Sequence, residues 1–284
     1  MKLLASALAI FMAVVLWAPI GITAQVDTFG FVSASGGAEK EGDSSSGGRF
    51  IAQGLGVLPV RPNLGLQGMA SYVGGRGSRF GVNLGPIYGW SGGLPLIGGT
   101  GGKTGVIFAY QHRSDQDDNF VWIRPSLGLY YSEFTINSWI SQSLTETRQH
   151  GRPGGFFFGP GTVTRAKPMD QIRLEGSYYP MQEIGPYLKR DNWELTAGLQ
   201  LNNPWGGGFG AGPVLGVSVM PMNNLVVNAF RFAVDSESRY RFDVGLQYTF
   251  GGPAKTLKDT RRQYVEPANG IDAPGSVSYV RIRF

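Results

Sequence analysis

Hydrophobic and polar residues alternate along most of the chain after residue 25, in runs of about ten residues separated by Gly, Pro, Asn, Asp or Ser. The segment 239–250, RYRFDVGLQYTF, shows the pattern most clearly, because every second residue from Tyr240 to Phe250 is apolar. Successive side chains of a strand point to opposite faces, so one face suits lipid and the other suits water. A shift of one residue would place two arginines and an aspartate in hydrocarbon, which specifies the register strongly.

The alternating runs predict an all-β chain folded as a transmembrane, antiparallel, up-and-down β-barrel. A soluble β-sandwich would alternate as well, but here tyrosines crowd at the strand ends, as in an interfacial girdle, and the chain ends in a strand. Segment 224–234 alternates poorly, which indicates a β-bulge. The predicted strands are 25–35, 49–58, 64–73, 78–88, 103–112, 120–131, 171–179, 192–201, 208–219, 224–234, 239–250 and 276–284.

Two strand counts are compatible with the even number that bacterial barrels normally have. Counting from 25–35 to 276–284 gives about 12 strands and places the long segment 132–169 in the periplasm. Counting from 49–58 to Phe250 gives about 10 strands, places that segment outside, and leaves 251–284 as a periplasmic tail. We favour 12 because the chain ends in Phe284.

The two candidate closing strands carry a resemblance to a known class. Ser278, Val280, Ile282 and Phe284 in SYVRIRF resemble the C-terminal targeting strand of bacterial outer-membrane β-barrel proteins. DVGLQYTF, residues 243–250, resembles the same signal, and ESRYRFDVGLQYTFGGP is similar to the last barrel strand of inverse autotransporters. The resemblance identifies a porin-like class and no specific family. It implies a Gram-negative outer membrane, contact with outer-membrane lipid, and recognition by the barrel-assembly machinery through the C-terminal strand.

The N-terminus predicts export across the inner membrane. Lys2 precedes an apolar run from Leu3 to Trp17, Pro19 follows, and Ala24 offers a small residue for cleavage. We therefore interpret residues 1–24 as a signal peptide and 25–284 as the mature barrel. The alternative is a retained anchor, because 3–22 is just long enough to span a bilayer.

Composition excludes several function classes. The chain has no Cys, so it can form no disulfide, thiolate metal site or lipidated N-terminal cysteine. Its net charge of +5 is too mild and dispersed to indicate nucleic-acid binding. A count of 44 Gly disfavours helices. No cofactor or metal is predicted.

The charged residues assigned to the water-facing side are mostly basic. If the lumen is open, such a lining focuses positive potential and favours small anionic solutes. The alternative is a closed interior, because the arginines of a narrow barrel can fill it and pair with the few carboxylates. The predicted lumen-lining residues are Arg79, Lys103, Arg124, Arg173, Glu175, Glu194, Arg239, Arg241, Asp243, Arg281 and Arg283.

The segment from Glu133 to Asp170 is long for a loop and contains the apolar cluster Phe156, Phe157 and Phe158. Loops of this length are usually functional or disordered. On the outer side the cluster would form a constriction in the barrel mouth or meet a surface partner. On the periplasmic side it would be an inward plug. An extra hairpin that extends the wall is equally compatible with the sequence.

Candidate chemistry is sparse. His112 precedes Asp115, Asp117 and Asp118, as in an outer-membrane hydrolase, but SDQDDN is typical of a hairpin turn, so no catalytic residue is predicted. GGTGGKTG, residues 98–105, lacks the first Gly of a phosphate loop and leads into an alternating segment. The sequence thus predicts a passive porin-like channel or a structural barrel, with surface adhesion through the loops as the alternative and a hydrolase as the third.

Overall fold

A closed antiparallel barrel of twelve strands forms the body of the protein. Among the described residues, no helix is both long and apolar enough to cross a membrane. The computed structural model describes residues 26–40, 46–75, 77–93, 98–114, 117–145, 148–152, 162–168, 170–185, 188–202, 210–236, 239–252, 256–265 and 277–283.

The described residues form fifteen strands, and one short helix, α1 (Leu257–Arg261), follows the fourteenth. In chain order the strands are β1 (Phe29–Lys40), β2 (Gly47–Arg61), β3 (Leu64–Gly74), β4 (Arg79–Ser91), β5 (Gly101–Arg113), β6 (Asp118–Tyr130), β7 (Phe134–Ser143), β8 (Arg148–Arg152), β9 (Thr162–Pro168), β10 (Gln171–Tyr178), β11 (Trp193–Asn202), β12 (Gly210–Met222), β13 (Leu225–Ser236), β14 (Arg239–Gly251) and β15 (Val277–Arg283).

The barrel closes where β1 pairs with β14, from Phe29 opposite Gly251 to Lys40 opposite Tyr240. The other wall strands pair with their neighbours in the chain, except that β7 pairs with β10 and leaves β8 and β9 out of the wall. The predicted up-and-down barrel of about 12 strands is therefore confirmed.

The prediction of the closing strand is wrong, although the count is right. Segment 276–284 does not enter the wall; β15 pairs with β9 in a separate sheet whose order is β15-β9-β8. The missing wall strand is β7, which lies inside the segment 133–170. The physical reason is that alternation shows that a segment suits a strand, but it does not show which strand it pairs with.

Burial along the strands follows the period of two. In β14 the side chains of Val244, Leu246 and Tyr248 point outward and are 43%, 53% and 53% exposed, while Asp243 and Gln247 between them point inward and are buried. The predicted bulge near 224–234 is confirmed, since the β12–β13 and β13–β14 registers shift. In β14, polar side chains thus face the lumen and apolar ones face outward.

The two ends of the barrel differ. At the termini end, defined as the end where β1 begins and β14 finishes, short turns at 62–63 and 223–224 join the strands. The β8–β9 segment lies between β7 and β10 at the opposite end, which we call the hairpin end. At the hairpin end the wall extends beyond the predicted strands 25–35 and 49–58, because β1 continues to Lys40 and β2 begins at Gly47.

The chain reverses direction directly after the wall. Gly251 and Gly252 have φ angles of 71° and 70°, a conformation that favours glycine. Thr256 then caps α1 by accepting a hydrogen bond from the Asp259 backbone N–H. This reversal directs the chain after β14 back toward the lumen.

A truncation tests which strand closes the wall. We expect the chain ending at Gly252 to refold in lipid vesicles and show heat-modifiable gel migration, because every wall strand is retained. Deleting β14 as well, from Arg239 onward, should abolish the heat-modifiable form. Loss of that form in the chain ending at Gly252 would instead mean that the C-terminal residues build the wall.

Candidate functional site

The inward face of the wall carries most of the residues predicted to line the lumen. Those with buried side chains are Arg79, Lys103, Arg124, Arg173, Glu175, Glu194 and Asp243, and Arg241 is half-buried. Arg281 and Arg283 belong to β15, outside the wall. The described part of the structure does not include their side chains or the side chain of Arg239. It also does not include the residues Phe156, Phe157 and Phe158.

Toward the hairpin end, charged residues pair along the wall. Arg49 bridges two acidic residues, with Nη1 3.3 Å from Glu39 Oε2 and Nε 2.7 Å from Asp243 Oδ1. Arg79 Nη2 lies 2.5 Å from Glu39 Oε1. Asp243, Glu39, Arg49 and Arg79 lie on β14, β1, β2 and β4. These strands are consecutive in the wall, except that β3 separates β2 from β4. These ion pairs therefore join side chains along the lining.

In the middle of the lumen, two arginines lie against one indole ring. The guanidinium carbon of Arg124 is 4.8 Å from the Trp139 ring centroid, and that of Arg173 is 5.9 Å away. Arg173 also pairs with Glu175 and donates from Nη1 to Gln200 Oε1 at 3.3 Å. These residues lie on β6, β7, β10 and β11, which are also neighbours in the wall. Cation–π contact helps to hold both charges in this buried place.

The chain after β14 occupies the lumen at the termini end, and we call residues 256–265 the C-terminal plug. Its central side chain is Arg261, which is buried. Arg261 Nε donates to Glu194 Oε2 at 3.0 Å, and Nη2 donates to Ser218 Oγ at 3.1 Å and Asn228 Oδ1 at 2.8 Å. Nη1 donates to Tyr264 Oη at 3.0 Å. Burial alone would lower the pKa of Arg261, but Tyr264 and Glu194 outweigh it and raise that pKa, so the guanidinium stays charged.

The other side of the plug is apolar. The ring of Tyr264 stacks on Phe29 with centroids 5.9 Å apart and tilts against Phe31 at 5.5 Å. Val265 joins the same buried cluster. The remaining members of this cluster come from the inward faces of β2 to β5 and from the residue that precedes β1, and they are Leu55, Val57, Met69, Ile87, Ile107 and Val26.

Wall side chains also bind the plug backbone. The Gln67 amide forms two hydrogen bonds with Val265, one to its carbonyl oxygen and one from its N–H, both 3.0 Å long. Lys103, a predicted lumen-lining residue, donates from Nζ to the Gln263 carbonyl oxygen at 2.7 Å. Arg262 donates from Nη2 to the Tyr131 carbonyl oxygen at 2.5 Å. The plug thus contacts opposite sides of the barrel and bridges the lumen.

The mouth of the barrel holds the start of the plug. Leu257 packs in a buried cluster with Tyr179, Met220 and Val226. Lys258 Nζ lies 2.7 Å from Asp191 Oδ1, in a pair whose side chains are partly exposed. Apolar packing and an ion pair therefore anchor α1 at the termini end.

The sequence interpretation missed Glu39, Arg49, Gln67 and Arg261. Alternation around Phe50 would have placed Arg49 inward, but Glu39 lies in a Gly-rich polar stretch that suggests a loop. Thr256 and Asp259 have the spacing of a helix N-cap and indicate a short helix. No sequence signal indicates that this helix and the residues after it enter the barrel.

The candidate chemistry around His112 does not come together. His112 points outward, with Nδ1 3.0 Å from Asn119 Oδ1, whereas Asp118 is buried on the inward face. The side chain of His150 is outside the described part, as is Asp115. Within the described residues, no group of three or more His, Asp or Glu is placed to hold a metal ion.

Comparison with known proteins is consistent with this architecture. No protein-family model and no curated protein matches the chain. A solved chain from “Unveiling the Mechanism Behind the in-meso Crystallization of Membrane Proteins” is 11% identical with a TM-score of 0.55, covering 89% of this chain and 100% of its own.

Two other solved structures are less similar. The KdgM porin is 12% identical over 77% of this chain and 99% of its own, with a TM-score of 0.44. The COG4313 outer membrane channel from Pseudomonas putida F1 is 9% identical over 82% and 98%, with a TM-score of 0.45. At such identities the similarity concerns the fold alone.

Substitution of Arg261 tests how the plug is held. Arg261→Ala leaves Glu194 buried without its cation, which costs about 3–5 kcal/mol. Because the wall is complete without the plug, we expect the plug to leave the lumen. A protease specific for aromatic residues should then cleave after Tyr264 about 100-fold faster or more.

Asp259→Asn is the matched control, because the structure assigns its carboxylate to none of the plug contacts described above and the substitution keeps the backbone N–H that Thr256 caps. Equal cleavage of the two variants would contradict the role assigned to Arg261.

Proposed function

We propose that the protein is a passive outer-membrane channel for small solutes whose lumen is closed by its own C-terminal plug. The observation that supports this most directly is the contrast between the wall and the plug. Glu39, Arg49 and Asp243 pair along the lining, whereas the plug runs from Glu194 on one side to Gln67 on the other. A twelve-stranded wall is wider than the eight-stranded barrels that side chains alone can fill.

The outward face supports a place in the membrane. Large apolar side chains from strands all around the barrel are exposed there, Leu84 (50%), Phe108 (51%), Leu174 (54%) and Leu199 (50%) among them. A continuous apolar surface of this extent is costly in water and suits lipid. In the proposed orientation the termini end faces the periplasm, the hairpin end faces outward, and residues 1–24 direct export.

The charges of the lining favour anions weakly. Apart from Arg261, the buried charged side chains in the described residues are seven basic and five acidic. The excess of basic over acidic side chains is smaller than expected from the sequence, because the acidic residues Glu39 and Asp118 also face inward. Once the plug is absent, a lumen with this balance should pass small anions somewhat better than cations.

Neither alternative role gains support from the described residues. Adhesion depends on loops such as 41–45, 153–161 and 203–209, which lie outside them. A hydrolase would need His112 to meet a nucleophile and a carboxylate, and its ring faces outward beside Asn119. The channel is therefore the function that the geometry supports best.

Conductance in planar lipid bilayers tests the proposal. We expect the full chain to be nearly silent and the chain ending at Gly252 to show stable unitary steps, because its wall is complete and its lumen empty. Reversal potentials in a salt gradient should give a mild anion preference.

The conductance of the full chain and of the chain ending at Gly252 distinguishes a channel from a structural barrel. Silence of both chains would indicate a structural barrel, and equal conductance of both would mean that the plug does not close the lumen. The full chain with Asp259→Asn serves as the control and should stay silent.

A further inference from the structure

We infer that the termini end of the lumen is a peptide-binding site, specific for a short helical segment that ends in an arginine and has a tyrosine three residues later. The C-terminal plug is its resident ligand and can be replaced by the same segment supplied as a separate peptide. This rests on the proposed function, in which the plug controls the channel, and it assigns the chemistry that the lumen recognises.

The first part of the site is a pocket for one guanidinium. Glu194, Ser218, Asn228 and Gln247 come from β11, β12, β13 and β14, and all four direct oxygen atoms at Arg261. The wall itself positions these acceptors: Ser218 Oγ donates to Asn228 Oδ1 at 3.0 Å, and Tyr179 Oη donates to Glu194 Oε1 at 3.3 Å. A planar set of acceptors around one carboxylate selects arginine over lysine.

The second part is an aromatic pocket on β1, the strand next to β14 in the wall. Phe29 and Phe31 point inward from β1 with their rings 6.5 Å apart in an edge arrangement. Both contact the Tyr264 ring, whose hydroxyl lies 3.0 Å from Arg261 Nη1. The two pockets are therefore adjoining, and the spacing between them fits residues three apart in the plug.

The third part of the site binds the backbone of the plug. Gln67 binds both the N–H and the carbonyl oxygen of Val265, and Lys103 binds the carbonyl oxygen of Gln263. Hydrogen bonds to the main chain combined with pockets for selected side chains are the common pattern of peptide recognition. The wall contributes all of these groups, and the wall is complete at Gly251. The site thus exists independently of the covalent link to the plug.

Binding in trans tests the inference. The barrel ending at Gly252 is refolded in detergent and titrated with a labelled peptide of residues 254–265, AKTLKDTRRQYV, carrying a C-terminal amide. We expect saturable one-to-one binding by fluorescence anisotropy. Peptides with Arg261→Lys or Tyr264→Ala should bind about tenfold more weakly or worse, whereas Asp259→Asn should change affinity little, because it keeps the backbone N–H that Thr256 caps. Gln67→Ala in the barrel should also weaken binding.

The possible results separate this inference from the proposed function. Conductance after truncation with no peptide binding, or equal binding of a scrambled peptide, overturns the inference and leaves the channel intact. Specific binding to a truncated barrel that does not conduct supports the site and contradicts the channel. If truncation prevents refolding, the full chain is refolded, cleaved at a protease site inserted between Gly252 and Thr256, and exchanged against the labelled peptide.

Discussion

Closure of the wall by β1 and β14 is the constraint on which the rest of the structure depends. Backbone groups that face hydrocarbon must find their partners inside the wall, and only a closed barrel of strands achieves this. The pairing runs without interruption from Phe29 opposite Gly251 to Lys40 opposite Tyr240. Because the wall is finished at Gly251, the residues after it are free to form a separate element. The position of the plug inside the lumen follows from that freedom.

The plug in turn depends on two buried groups, the Arg261 guanidinium and the Tyr264 ring, and on wall residues that complement each of them. A buried guanidinium is tolerated only with a carboxylate and further acceptors, and Glu194, Ser218 and Asn228 supply them to Arg261. Tyr264 removes apolar area from water on the opposite side, against Phe29 and Phe31. The wall is thus polar on one inner side and apolar on the other, and the plug matches both. A lumen of this kind holds a specific segment better than an unrelated one.

Most of the wall could be predicted from the sequence because the period of two is a local property. RYRFDVGLQYTF gave β14, and the same rule placed Lys103 and Glu194 inward. It failed for β7, where Trp139 points inward and Ser138 outward, so that the polarity of the two faces is blurred. It also placed SYVRIRF in the wall, because pairing partners are a long-range property. The docking of Arg261 is long-range as well, and the five residues of α1 carry too little pattern to reveal it.

The measurement that most directly tests the central claim is disulfide formation between a wall residue and the plug. The chain has no cysteine, so any disulfide within a chain must join the two introduced cysteines. A side-chain Cβ at Gly105 would lie 3.0 Å from a methyl carbon of Val265, whereas Val106 points to the other face of β5. In the membrane-inserted full chain, we expect Gly105→Cys with Val265→Cys to cross-link on mild oxidation, and Val106→Cys with Val265→Cys not to. Equal cross-linking of both pairs, or none of the first, would contradict a plug inside the lumen.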